Sequence, residues 1–209
     1  MNTRVIFDLA GVVFQWRPRL VLAQLLPHRI QSEAQAAYWA QQLFQSFEPH
    51  GDWALFDLGR IEPPALAQRI AQRTGLTEDE VHTVIEGIPP QLTPMEGTVR
   101  MVQDLHRRGI PLYFLSNMPA PYAERLVRDN PFFGLFRDGI FSAHVAQIKP
   151  ERPIFEHATR RFDAVGPSTV FIDDTLPNIE MARDHGWQAV HFEDPAQCRA
   201  ALQALGVLD

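Results

Sequence analysis

Five short apolar runs punctuate the chain: Arg4-Val5-Ile6-Phe7, Leu112-Tyr113-Phe114-Leu115, Gly139-Ile140-Phe141-Ser142, Thr169-Val170-Phe171-Ile172 and Gln188-Ala189-Val190-His191-Phe192. Each is rich in β-branched or aromatic residues and ends in small or polar ones. Near-continuous apolar strands of this kind belong to a parallel sheet covered on both faces. Helical stretches separate the later runs. Val99, Val102 and Leu105 recur at helical spacing and stop before Gly109, and Ile179 with Ala182 does the same before Gly186. Glycine is favoured just past a helix end. Alternating strand and helix predicts right-handed crossovers and an α/β, doubly wound, Rossmann-like sheet.

A long segment between the first two strands breaks this alternation and reads as helical. Ser32 with Gln35, and Thr77 with Glu80, have capping-box spacing. Leu66 and Ile70, then Val81, Val84 and Ile85, supply apolar stripes, and Pro89-Pro90 and Pro94 mark the return to the sheet. The expected organisation is a core of residues 1–15 and 91–209 with a helical cap of residues 16–90. An insert leaving the C-terminal end of a strand stands over the sheet edge where ligands bind in such folds. Position alone makes it a lid.

At 209 residues the chain can bury a sizeable core. Its formal net charge of -6, with no Lys/Arg block, argues against a nucleic-acid partner. No apolar run reaches membrane-spanning length, so no membrane partner is expected. The lone cysteine, Cys198, excludes an intrachain disulfide or a cysteine-rich zinc site, and it falls in an expected surface helix. With no signal-peptide pattern ahead of Arg4, a reduced cytoplasmic location is expected. The protein is expected as a monomer or homodimer.

The cations are unevenly chosen. Of the 19 Lys and Arg residues a single one is lysine, Lys149, in Gln147-Ile148-Lys149-Pro150-Glu151. Lysine is a compact point charge where arginine is a planar fork that needs more room. A buried pocket holding a phosphate beside a carboxylate is one place where that difference decides the residue.

Acids follow the strands. Asp8 comes directly after the first apolar run, and Asp173-Asp174 come after the fourth. Singly, an Asp after a strand is more often a turn former or helix cap than a catalyst. Parallel strands would gather all three at one sheet edge, where without a cation they would repel one another. Mg²⁺, a hard ion that takes oxygen ligands and keeps waters for substrate phosphates, resolves that repulsion.

Four segments, in this order, resemble the motifs of the haloacid dehalogenase-like hydrolase superfamily: Phe7-Asp8-Leu9-Ala10-Gly11-Val12-Val13, Leu115-Ser116-Asn117, Lys149-Pro150-Glu151 and Phe171-Ile172-Asp173-Asp174. Pro177-Asn178-Ile179 and Gly59-Arg60-Ile61-Glu62 resemble further segments of its phosphatases, the second of them in the cap. The resemblance implies a nucleophilic Asp8 that forms an aspartyl-phosphate. It implies Mg²⁺ on Asp8, the Ala10 carbonyl and Asp174, with Asp173 direct or through water. Ser116 and the Asn117 amide would bind the phosphoryl group, Lys149 would neutralise it and keep Asp8 ionised, and Asn178 would orient the metal-site acids. The substrate implied is a small phosphorylated metabolite. Sugar-1-phosphate phosphatases, which have a small residue at the position of Ala10, are the nearest in pattern.

Ala10 is also the main departure, because family phosphatases commonly carry there a second Asp that relays the proton. Losing such general acid–base help costs about two to four orders of magnitude in rate. Three outcomes fit. Another group takes the role, a cap acid or His50; or the substrate has a good leaving group; or the protein is a weak or inactive phosphate-ligand sensor or interaction module. A 2-haloacid dehalogenase would not place Asp173-Asp174 beside a carboxylate substrate, and a phosphonoacetaldehyde hydrolase needs a cap lysine that this insert lacks. Trp16, Arg17 and Arg19 are candidates to line the entrance, Arg17 or Arg60 is a candidate to contact a sugar hydroxyl, and Glu48-Pro49-His50-Gly51-Asp52-Trp53 is expected as a cap loop aimed at the site. Phe132, Phe133 and Phe136 are expected to pack under the sheet.

Overall fold

The structure, a computed structural model, describes residues 3–45 and 50–209. Five strands, β1 (Arg4–Phe7), β2 (Leu112–Ser116), β3 (Asp138–Phe141), β4 (Thr169–Asp173) and β5 (Gln188–His191), form one sheet. All are parallel, in the order β3-β2-β1-β4-β5. β1 lies in the middle, with Val5 opposite both Leu112 and Val170. The chain winds outward from it in both directions, so β1 and its neighbours β2 and β4 end together on one edge. The α/β doubly wound fold read from the strand pattern is the fold observed.

Side chains alternate between two cores, as the pleat requires. Val5 and Phe7, Leu112 and Phe114, Val170 and Ile172 face one of them. Ile6, Tyr113, Leu115 and Phe171 face the other. Helices α9 (Arg152–Phe162) and α10 (Leu176–Asp184) cover the second face through Ile154, Phe155, Ala158, Ile179 and Ala182. The first face is covered by α6 (Glu96–Arg107), α7 (Ala120–Asp129) and α11 (Pro195–Ala204). Phe133 and Phe136 pack there against Phe114, with Phe132 partly buried beside them. Cys198 corrects an expectation. It does lie in a helix, α11, but faces inward with no exposure, and its thiol is pushed up to about 12 by burial and then by Asp194.

Between β1 and α6 come α1 (Pro18–Leu25), α2 (Glu33–Phe44), α3 (Asp52–Asp57), α4 (Pro63–Thr74) and α5 (Glu78–Gly87). Their apolar stripes continue the first core, through Leu22, Leu43, Trp53, Leu66 and Val84. At α5 the capping box is complete: Thr77 Oγ1 accepts from the Glu80 amide and Glu80 Oε2 from the Thr77 amide. At α2 it is displaced. Ser32 Oγ accepts from the Gln35 amide, but Gln35 Oε1 takes the amide of Gln31 instead of Ser32. Of the expected loop over residues 48–53, Glu48 and Pro49 lie outside the described residues, while Asp52 and Trp53 open α3. No helix among the described residues is long and apolar enough to cross a membrane.

Candidate active site

Three strand ends and one helix-preceding loop meet at the C-terminal edge of the sheet. Asp8 follows β1, and its amide donates to Ile172 O at 2.8 Å. Ser116 ends β2, Asp173 ends β4, and Lys149 lies in the loop before α9. Asp8, Asp173 and Asp174 each offer a carboxylate oxygen within 4.8 Å of the others. Lys149 Nζ stands 2.6 Å from Asp173 Oδ2 and 2.9 Å from Asp8 Oδ1. The ammonium and these two acids are buried, whereas Asp174 is open to the cavity.

Each group has a distinct local role. The Asp173 carboxylate is saturated: besides Lys149 it accepts from the Thr175 amide at 2.8 Å and from Asn178 Nδ2 at 3.0 Å to each oxygen. The Asn117 side chain is likewise committed, donating to Lys149 O at 3.0 Å and accepting from Lys149 N at 2.9 Å. That reciprocal pair fixes the lysine loop to the end of β2 and leaves the Asn117 amide for other use. Two polar atoms are left over. Ser116 Oγ and Asp8 Oδ1 are buried with no hydrogen-bond partner, the ammonium lying near Asp8 Oδ1 but outside hydrogen-bonding geometry. An orphaned buried polar atom costs about 1–3 kcal/mol, so a ligand that satisfies it is favoured.

The electrostatics carry the same message. Burial opposes charging Lys149, but Asp173 and Asp8 outweigh it and hold its pKa above the ordinary value. Asp8 is raised to about 7, mainly by burial; Lys149 pulls it down, and Asp173 and Asp174 push it further up. Asp174 is raised as well, by burial and by Asp173. One ammonium does not neutralise three carboxylates at this separation, and a divalent cation would. The oxygen-only donor set suits Mg²⁺. Asp174 accepts only a long hydrogen bond from Thr175 Oγ1 at 3.4 Å, so it and Asp8 keep oxygens for a cation, while Asp173 already has its partners.

Gly11 makes room for this arrangement. Its φ is +90°, and a Cβ there would lie 2.2 Å from Asp174 Oδ2. Only glycine takes that backbone conformation freely and also lets the carboxylate come so close.

Above the acids is a cavity of about 360 Å³ whose wall includes Asp8, Asn117, Lys149 and Asp174 at its floor. Its upper wall is Trp16, Trp53, Ile88, Leu92, Met118 and Tyr122, supplied by the insert, the turn that returns from it and the segment after β2. Several entrance candidates are elsewhere. Arg17 and Arg19 line a separate surface cavity, Arg19 pairing with Glu33 at 2.9 Å. Arg60 donates to Ala146 O at 3.4 Å, and Asp52 is held by Arg69 and Arg73. His50 is exposed and does not line the cavity. One lining acid was missed in the sequence: Asp57, at the end of α3, 5% exposed. The available signal was an acid four residues after Trp53, hence on the same face of an apolar helix.

The sequence is 28% identical over 203 residues to the sesquiterpene phosphatase astK of Aspergillus oryzae, covering 96% of this chain and 95% of that protein. It is 23% identical over 214 residues to the drimenol cyclase drtB of Aspergillus calidoustus, covering 97% of this chain but 36% of that longer protein. Among solved structures it resembles a haloacid dehalogenase-family enzyme of Bacteroides thetaiotaomicron, crystallised with magnesium and inorganic phosphate. The TM-score is 0.69 at 19% identity, with 93% of this chain and 97% of that one covered. Residues 3–186 match the family described as haloacid dehalogenase-like hydrolase, and the chain belongs to that family.

Proposed function

We propose that the protein is a Mg²⁺-dependent phosphatase that hydrolyses a small phosphate monoester through phosphorylated Asp8. The observation that carries this reading is the convergence of three acids, a buried lysine and an unsatisfied serine hydroxyl at one sheet edge, with Asp8, Lys149 and Asp174 lining the cavity above it. Asp8 supplies the attacking oxygen. Ser116 Oγ and the Asn117 amide donate to the phosphoryl oxygens, and Lys149 offsets their charge and favours the ionised form of Asp8. Asp8, the Ala10 carbonyl and Asp174 would hold the metal. Asp173 fixes the lysine and is itself fixed by Asn178 and the Thr175 amide. Held there, a divalent ion would screen carboxylate from phosphate and stabilise charge on the transferring group. The inserted helices, residues 16–90, act as the cap that closes the cavity.

The upper wall supports an apolar organic group in preference to a sugar. Trp16, Trp53, Ile88, Leu92 and Met118 offer surface to a hydrocarbon, whereas sugar hydroxyls would have to give up water for few partners. A relative named as a sesquiterpene phosphatase along nearly its whole length supports the same substrate class, an isoprenoid phosphate. A haloacid fits poorly, since its carboxylate would face Asp174.

Ala10 supports a second reading, a phosphate-binding protein without turnover. One experiment separates the three possibilities: phosphate release from isoprenyl, sugar and nucleoside monophosphates, with Mg²⁺ and with EDTA, for the wild type and Asp8→Asn. The proposal expects Mg²⁺-dependent release, highest kcat/KM on isoprenyl esters, and none from the variant. Preference for a sugar phosphate would overturn the substrate class, and phosphate binding without release would overturn the enzyme.

A further inference from the structure

Breaking an unactivated ester, on the phosphatase reading just given, requires a proton for the departing oxygen, and Ala10 has none to give. We propose that Asp57 of the inserted helix α3 is the catalytic proton carrier, its side chain lining the same cavity as Asp8.

The ionisable side chains lining the cavity are Asp8, Asp57, Tyr122, Lys149 and Asp174. Tyr122 is spent, its hydroxyl donating to Ile85 O. Lys149 is held between two carboxylates, and Asp8 and Asp174 belong to the nucleophile and cation site. Asp57 alone is uncommitted: it is buried, lines the cavity, and its carboxyl makes no hydrogen bond or ion pair among the described residues.

Its position is also enforced. Ser142 Oγ, which opens the one-turn helix α8 (Ser142–Val145) after β3, donates to the Asp57 carbonyl and accepts from the Met118 amide, tying the end of α3 to two core segments. Ala54 and Leu58 flank Asp57 and pack on Ile148, next to Lys149. At Gly59, with φ +65°, a Cβ would meet Ala143 O at 2.8 Å, so the chain passes close against the core immediately beyond the acid. Three contacts of this kind are more than an arbitrary surface acid would receive. Burial, then the charge of Asp8, with Lys149 opposing, raises its carboxyl to about 8, which keeps it protonated at neutral pH.

The chemistry balances. As an Asp8 oxygen bonds to phosphorus, the P–O bond to the organic group breaks with its electron pair on the ester oxygen. That oxygen takes the Asp57 proton and leaves as the alcohol. The Asp57 carboxylate next takes a proton from water, whose oxygen bonds to phosphorus while the P–O bond to Asp8 breaks. Inorganic phosphate, ionised Asp8 and protonated Asp57 are restored.

The test compares Asp57→Asn with wild type on geranyl phosphate, whose alcohol needs the proton, and on p-nitrophenyl phosphate, whose phenolate does not. Loss of general acid–base help should lower kcat on geranyl phosphate by about a hundred to ten thousand fold. On p-nitrophenyl phosphate the variant should release a stoichiometric burst of nitrophenolate and then stall, because water is no longer activated. Asp57→Glu should recover part of the geranyl phosphate activity. A buried acid without a partner predicts a Tm for Asp57→Asn equal to or above the wild type. Equal losses on both esters without a burst, no loss at all, or a variant that melts below assay temperature would each overturn the role. Absence of phosphate release from the wild type would instead overturn the phosphatase reading beneath it.

Discussion

Replacing Gly11 by alanine adds one methyl group and should disable the cation site without touching a charged residue. The added Cβ would sit 2.2 Å from Asp174 Oδ2, and ordinary contact begins near 3.4 Å, so the carboxylate must retreat by more than an ångström. Displacing one ligand or its support typically lowers metal affinity about 10–100-fold. The left-handed backbone adds a separate cost of about 1–2 kcal/mol. For a chain of this size that lowers Tm by about 2–8 °C. Mg²⁺ titration by calorimetry, with thermal melts, on Gly11→Ala, Asp174→Ala and the double variant separates the two effects. If the methyl acts through Asp174, the double variant should bind Mg²⁺ no more weakly than Asp174→Ala, while the Tm penalty persists. Wild-type affinity in Gly11→Ala, or additive losses in the double variant, would refute the reasoning.

Other perturbations reach different parts of the account. Lys149→Met leaves Asp8 and Asp173 facing each other without their cation; urea unfolding should show a loss of about 3–5 kcal/mol in EDTA, partly restored by Mg²⁺. Asn178→Ala removes both side-chain bonds to Asp173 and should lower kcat about 10–100-fold, with a stability loss of about 1.5–3 kcal/mol for the lost bonds to a buried charge, read by urea unfolding. Trp16→Ala should raise KM for isoprenyl phosphates by about 10–100-fold, the worth of one aromatic contact, while inhibition by inorganic phosphate stays as in the wild type. Glu80→Ala breaks the α5 capping box and its Arg29 pair, costing about 0.5–2 kcal/mol. The Glu80 carboxyl is lowered from 4.5 to about 2, chiefly by the Arg29 hydrogen bond. Its contribution should therefore be whole above pH 4.5 and fade as pH falls through 2, which unfolding of both proteins across that range would reveal.

The sheet and the acids at its edge were legible because a doubly covered strand has to be apolar throughout, so the polar residue ending each run stands out. Asp8, Ser116 and Asp173 announce themselves that way. Lys149 was legible from a different contrast, a lysine in a chain of arginines, and the structure puts it between two carboxylates in a space suited to a point charge. Asp57 had no comparable marker. Its α3 is six residues long, too short for periodicity to establish, and its place over the site depends on Ser142 and Ile148, about 90 residues away. Tertiary contacts also decide the arginines: Arg17 lines a separate surface cavity, and Arg60 donates to Ala146 O. Cys198 shows a misjudged face, since Cys198 and Leu202, four apart, are the buried side of α11.

Phosphorylated Asp8 is the species on which everything else depends, and it can be caught directly. The protein is mixed with geranyl phosphate and Mg²⁺, quenched in acid within the first turnover, digested and weighed by mass spectrometry. The account predicts one added phosphoryl group on the peptide carrying Asp8, absent in EDTA and absent in Asp8→Asn. Phosphate release from geranyl phosphate that proceeds with Asp8 unlabelled throughout, or that survives Asp8→Asn, would contradict it.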